Sequence, residues 1–150
     1  MSYTANVACQ QFNILGAEEE VQAVSELSNV FSPPHHGPRD IPISVTLLDD
    51  CEYSYVHFPI VRTGRYVVYL DTPGVFDAMI YGGSNQDTGT GTKISTGQVG
   101  VGDCPSFKEG FVSTGEIIFN QNDPQPIAIR LLNKGNRGEK IKYIVSLFTG

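Results

Sequence analysis

The side chains best suited to recognition stand close together. Tyr53, Tyr55 and His57 alternate along one run, and Tyr69 follows in the next. On an extended chain alternate side chains leave on the same side, so the first three rings would share a surface. With Val67 and Tyr69 on a neighbouring strand they would form an aromatic platform. Aromatic rings stack on the C–H faces of sugars, and phenolic hydroxyls add hydrogen bonds at the rim. The expected ligand is therefore a carbohydrate or a protein surface. The competing reading is that the N-terminal segment or residues 84–104 cover this face and the rings are core.

Asp49, Asp50 and Glu52 form an acidic turn beside a strand end. Calcium takes six to eight oxygen ligands, which these carboxylates could begin to supply, with Asp71, Asp77 and Asp103 joining if the fold brings their loops together. No EF-hand or glycine-repeat calcium loop is present, so calcium, the one cofactor suggested, competes with an ordinary solvated turn. His35 and His36 sit side by side in a proline-rich segment, and with His57 they offer three imidazoles to a transition metal. Adjacent side chains diverge, and no zincin spacing is present, so exposed linker histidines are the plainer reading. For catalysis, no Gly-x-Ser-x-Gly elbow exists, and Ser84 has no recognisable partners. The Gly/Thr run before Lys93 lacks the order and strand-to-helix context of a phosphate loop. Enzymatic action would need a cleft built from the 84–104 loop and a carboxylate such as Asp103, and a non-enzyme is expected.

Cys9, Cys51 and Cys104 show no CxxC spacing, which argues against structural zinc and thioredoxin-type redox chemistry. One disulfide between Cys51 and Cys104, or three free thiols, are both open readings. The segment Met1 to Ala8 has neither a positive n-region nor an apolar h-region, so an exported protein would already have lost its signal. Ten Lys and Arg residues are scattered in a chain of net charge −6, leaving no phosphate-neutralising surface for nucleic acid. No run approaches the roughly 18 apolar residues of a membrane-spanning helix.

The elements that must position these residues follow from patterning. With 150 residues, 40% of them hydrophobic, plus sixteen Gly and nine Pro, short strands joined by turns are expected. Val7 to Ile14 reads as a short strand. Ala17, Val21, Val24, Leu27 and Phe31 recur at helical spacing behind Glu18 to Glu20, although Val21 to Leu27 also alternates as a strand would. Residues 1–40 thus form an N-terminal arm, ending in the Pro-rich stretch 32–38. Residues 41–150 form an antiparallel β-sandwich: strands over 41–48, 51–60 and 65–71, the last two a hairpin about Arg62-Thr63-Gly64, then 76–80. A long loop over 84–104 precedes final strands at 115–120, 127–133 and 141–148.

The run from Tyr53 to Asp71, followed by Asp77-Ala-Met-Ile-Tyr81, resembles the central strands of bacterial pre-peptidase C-terminal domains. The closing segments Pro126 to Leu132 and Lys142 to Phe148 are similar to that family's final hairpin. The resemblance covers about residues 41–150. It implies a jelly-roll-like sandwich attached to a larger exported protein, extracellular or periplasmic, which aids substrate or surface binding, sometimes with calcium, and carries no catalysis. The first forty residues, the three cysteines and the loop after Gly82 depart from the pattern. An accessory binding module is the function expected. The alternative is structural: the tyrosine face, an unpaired edge strand and an odd cysteine driving homo-oligomerisation into a filament or surface layer.

Overall fold

Valine, isoleucine and tyrosine dominate the apolar runs, and such side chains suit a pleated surface packed on both sides. The computed structural model describes residues 3–14, 18–25, 41–58, 60, 62–81, 92–119 and 127–148, without the side chains of His57, Phe58, Tyr81 and Thr92. The elements are one helix, α1 (Tyr3–Phe12), and strands β1 (Glu19–Gln22), β2 (Ile43–Thr46), β3 (Tyr53–Phe58), β4 (Tyr66–Leu70), β5 (Phe76–Tyr81), β6 (Thr92–Ile94), β7 (Thr96–Val99), β8 (Glu109–Ser113), β9 (Ile127–Leu132) and β10 (Lys140–Leu147). One sheet has the order β1-β2-β10-β4-β8-β7 and the other β3-β9-β5-β6. Every ladder is antiparallel except β1 with β2. The all-β sandwich expected from patterning is what forms, with this one parallel pair.

Between the sheets lies the main core. Ile43, Val45, Tyr66, Val68, Leu70, Ile141, Tyr143 and Val145 of the larger sheet meet Val56, Met79, Ile127, Ile129 and Leu131 of the smaller one. The larger sheet buries its other side as well. Val67, Tyr69, Val112 and Ile144 pack beneath Ala5, Ala8 and Phe12 of α1 and beneath Phe107. All five residues of β4 are therefore buried.

Several elements differ from those expected. Val7 to Phe12, expected in a strand, belong to a helix, because Ala5, Ala8 and Phe12 recur at helical spacing and bury one stripe on the sheet. The helix expected from Ala17 is instead β1 where the chain is described, with Val21 turned to the core between Glu20 and Gln22; residues 26–31 and His35 and His36 lie outside the described residues. The described parts of residues 1–40 are integral to the sandwich, since β1 pairs with β2 and α1 covers the sheet. Finally, β3 and β4 are not a hairpin: they belong to opposite sheets, and Arg62-Thr63-Gly64 carries the chain across.

That crossing is fastened by a two-hydrogen-bond bridge between Gly64 and Ile117, with Phe119 N–H donating to the Thr63 hydroxyl. A Cβ on Gly64 would stand 2.6 Å from Leu147 Cδ1, so a larger residue there would have to turn that side chain aside. The strand expected at 115–120 reduces to this bridge, and β8 supplies the ladder instead. Two further crossings close the sandwich's sides. After β1, Val24 bridges Tyr55 at the edge of the other sheet, and β6 passes directly into β7 on the opposite sheet. Within the expected loop over 84–104 the chain forms β6 and β7, residues 100–104 hold no strand, and 82–91 lies outside the described residues.

Candidate ligand-binding face

Helix α1 covers the outer side of the larger sheet, so the outer side of the smaller sheet is where sequence-derived candidates can meet a ligand. On β3, Tyr53 and Tyr55 point outward and are half-buried, their ring centroids 6.3 Å apart and tilted by 56°. Tyr55 packs with Val24 over a floor of Ala78, Ile80 and Ala128. Tyr55 lies opposite Arg130 of β9, and Arg130 lies opposite Ala78 of β5. The register shifts between Phe76 and Ala78, a bulge that turns Asp77 towards the same side.

Arg130 joins these groups. Its Nε donates to Asp77 Oδ2 at 2.6 Å, with the two side chains 23% and 24% exposed. The guanidinium sits 4.8 Å from the Tyr53 ring centroid. Burial works against its charge, but the hydrogen bond to Asp77 and the neighbouring Tyr55 outweigh this and raise its pKa above the ordinary value. The negative charge of Glu52, ahead of burial, pushes the Tyr53 hydroxyl above its ordinary value. The face therefore offers two tilted rings, a fixed planar donor and a carboxylate acceptor.

Tyr69 does not belong to it. Its strand is in the other sheet, and its ring is 0% exposed, stacked on Phe107 at 4.7 Å under α1. The covered-face reading holds for Tyr69 and Val67, whereas Tyr53 and Tyr55 are half-buried, with Val24 of the N-terminal segment packed against Tyr55. His57 pairs with Ala128 in the β3–β9 ladder, and its side chain lies outside the described part. The sequence reading passed over Arg130, although a single charge inside the apolar run Ile127–Leu132 is the signal that marks it.

Among the described residues no three His, Cys, Asp or Glu side chains converge, and Asp49, Asp50 and Glu52 are not gathered into such a group. A protein cation already serves the turn: Arg137 Nη1 donates to the carbonyls of Cys51, at 2.7 Å, and Asp49, at 3.3 Å. From inside, Asn133 donates through Nδ2 to the Cys51 carbonyl, and its backbone N–H donates to the Glu52 carbonyl. Asp49 is exposed at the rim of a groove of about 640 Å³, with Glu20 and Gln22, where β1 and β2 part.

The cysteine pairing also differs. Cys9 of α1 is bonded to Cys104, 95 residues away, and Cys51 is the free thiol. Burial, and then the charge of Asp50, raise the Cys51 thiol above its ordinary range, which disfavours the nucleophilic thiolate. Asp103 is exposed beside the disulfide, in a hollow of about 380 Å³ shared with Asn6, Gln10 and Asn13. No helix among the described residues is long and apolar enough to cross a membrane. No protein-family model matches the chain, and a search of curated proteins finds no match.

Proposed function

We propose that this chain is a non-catalytic accessory module of an exported protein and that it binds carbohydrate on the outer face of the smaller sheet. The observation that carries this reading is the set Tyr53, Tyr55, Arg130 and Asp77. Two half-exposed rings tilted against each other can cup the C–H faces of a sugar ring. Arg130 and Asp77, locked to one another, offer a donor and an acceptor side by side, which matches neighbouring hydroxyl groups. Because Asp77 balances the charge of Arg130, neutral sugars suit the face better than uronates. The Cys9–Cys104 disulfide is compatible with an oxidising, extracellular or periplasmic setting. The resemblance of residues 41–150 to pre-peptidase C-terminal domains supports the same role and carries the same implication of no catalysis.

Affinity electrophoresis through gels containing neutral soluble polysaccharides tests this. The native chain is expected to be retarded by at least one glucan, mannan or galactan. Tyr53→Ala and Tyr55→Ala should each weaken that retardation about tenfold while leaving Tm within a few degrees, since neither ring is in the main core. Retardation that both variants retain, or none with any polysaccharide, would contradict the proposal. Self-assembly, the second class of function the sequence allows, would draw on the same tyrosine face, an unpaired edge strand and the free Cys51.

A further inference from the structure

The sandwich has four sheet edges, and three of them are protected. β1 carries Glu19 and Glu20, β6 has Lys93 at its centre, and the outer edge of β3 is bridged by Val24. Charges and covering bridges are the ordinary means by which edge strands avoid pairing with other chains. Among the described residues β7, Thr96–Val99, has none of these: its sequence Thr-Gly-Gln-Val holds neither charge nor proline, and it ends its sheet.

The hydrogen-bonding direction of this edge follows from the ladder. Thr114 N–H donates to Ser95 C=O at 3.0 Å, and Thr96 faces Ser113 in the register. Bonded and non-bonded pairs alternate in an antiparallel ladder, so Gly97 and Val99 bond to β8. The backbone groups of Thr96 and Gln98 therefore point away from the sheet. From this we propose that β7 pairs with β7 of a second copy, antiparallel, about a two-fold axis at Gly97. Thr96 of one copy then faces Gln98 of the other, and both pairs exchange N–H and C=O bonds.

The choice of a second copy rests on charge and shape. A chain of net charge −6 repels its own kind, and an edge bearing Glu19 and Glu20 cannot pair with itself. β7 places no charge against its copy, and Gly97 puts no side chain at the axis. The product is one continuous sheet across two molecules, with both tyrosine faces left free. Two weak sugar sites on one dimer would then act together on a polymer.

Sedimentation equilibrium over a concentration series tests the proposal. The mass should rise from 16.3 kDa towards twice that value. Gln98→Pro removes one outward N–H and no bond to β8, since edge strands tolerate proline on the solvent side. It should remain monomeric at every concentration with an unchanged far-UV spectrum. Should it misfold, Thr96→Lys with Gln98→Lys serves instead, placing like charges across the axis. A native chain that stays monomeric throughout overturns the proposal. So does a dimer that survives these substitutions or disappears with Cys51→Ser, since the contact then lies elsewhere. Hydrogen exchange adds an independent reading: the Thr96 and Gln98 amides should gain protection as concentration rises. Sugar binding by the monomeric variant keeps the two proposals separable.

Discussion

Asn133 is fully buried, and both ends of its amide are engaged. Oδ1 accepts from the Ser54 hydroxyl at 2.5 Å, and Nδ2 donates to the Cys51 carbonyl at 3.0 Å, while Ser54 Oγ in turn accepts from Leu48 N–H. Asn133→Ala would leave the buried Ser54 hydroxyl without its acceptor, while the Cys51 carbonyl keeps its bond from Arg137 Nη1, so a loss of about 1–3 kcal/mol is expected in urea unfolding. A neutral result would mean that another group replaces the amide. Because Arg137 and Asn133 organise the acidic turn, calcium or a chelator should leave Tm unchanged; a rise with calcium would restore Asp49, Asp50 and Glu52 as ligands. Gly110 is a second sensitive point. A Cβ there would lie 2.9 Å from Tyr69 Cδ1 and Cε1, against a ring already stacked on Phe107. Gly110→Ala should therefore cost about 1–3 kcal/mol. At this scale the sequence was readable where alternation applies, as at Tyr53 and Tyr55. It offered Asp77 only as a possible calcium ligand and could not pair it with Arg130, since their meeting depends on the pairing of β5 with β9.

Helix α1 shows why elements are harder to place than residues. Ten residues make a marginal helix in water, and no acidic residue in the first turn or basic residue in the last marks its ends. Its stability comes from tertiary contacts. Phe12 meets Phe107 edge-on at 5.0 Å, Lys142 Nζ donates to the Phe12 carbonyl and lies over its ring, and Cys9 is bonded to Cys104. None of these partners is near in sequence, so the pairing of Cys9 could not be read from spacing. The same holds for the crossing at Gly64: two alternating runs around a turn fit a hairpin and an arch between sheets equally well until the pairing with β9 and β10 is known. The double variant Cys9→Ser with Cys104→Ser should lose about 2–5 kcal/mol in equilibrium unfolding. A loss below measurement error would mean that the bond does not form or does not restrain the chain.

For the whole molecule, the asymmetry between the two sheets matters most. The larger sheet is sealed on both sides, by the main core and by α1, which takes Tyr69 out of play. The smaller sheet turns Tyr53, Tyr55, Arg130 and Asp77 outward, and the crossings at Val24 and between β6 and β7 close the two sides around the main core. The proposed recognition falls on one broad face, and the proposed assembly on one edge. The most direct test is a titration of ¹⁵N-labelled chain with the oligosaccharide of whichever polysaccharide retards it, followed by amide chemical shifts. The proposed function predicts that perturbed amides cluster at Tyr53 to Tyr55, Asp77 to Ile80 and Ala128 to Arg130. Perturbations confined to α1 or to the groove beside Glu20 and Asp49, with the tyrosine face unmoved, would contradict it.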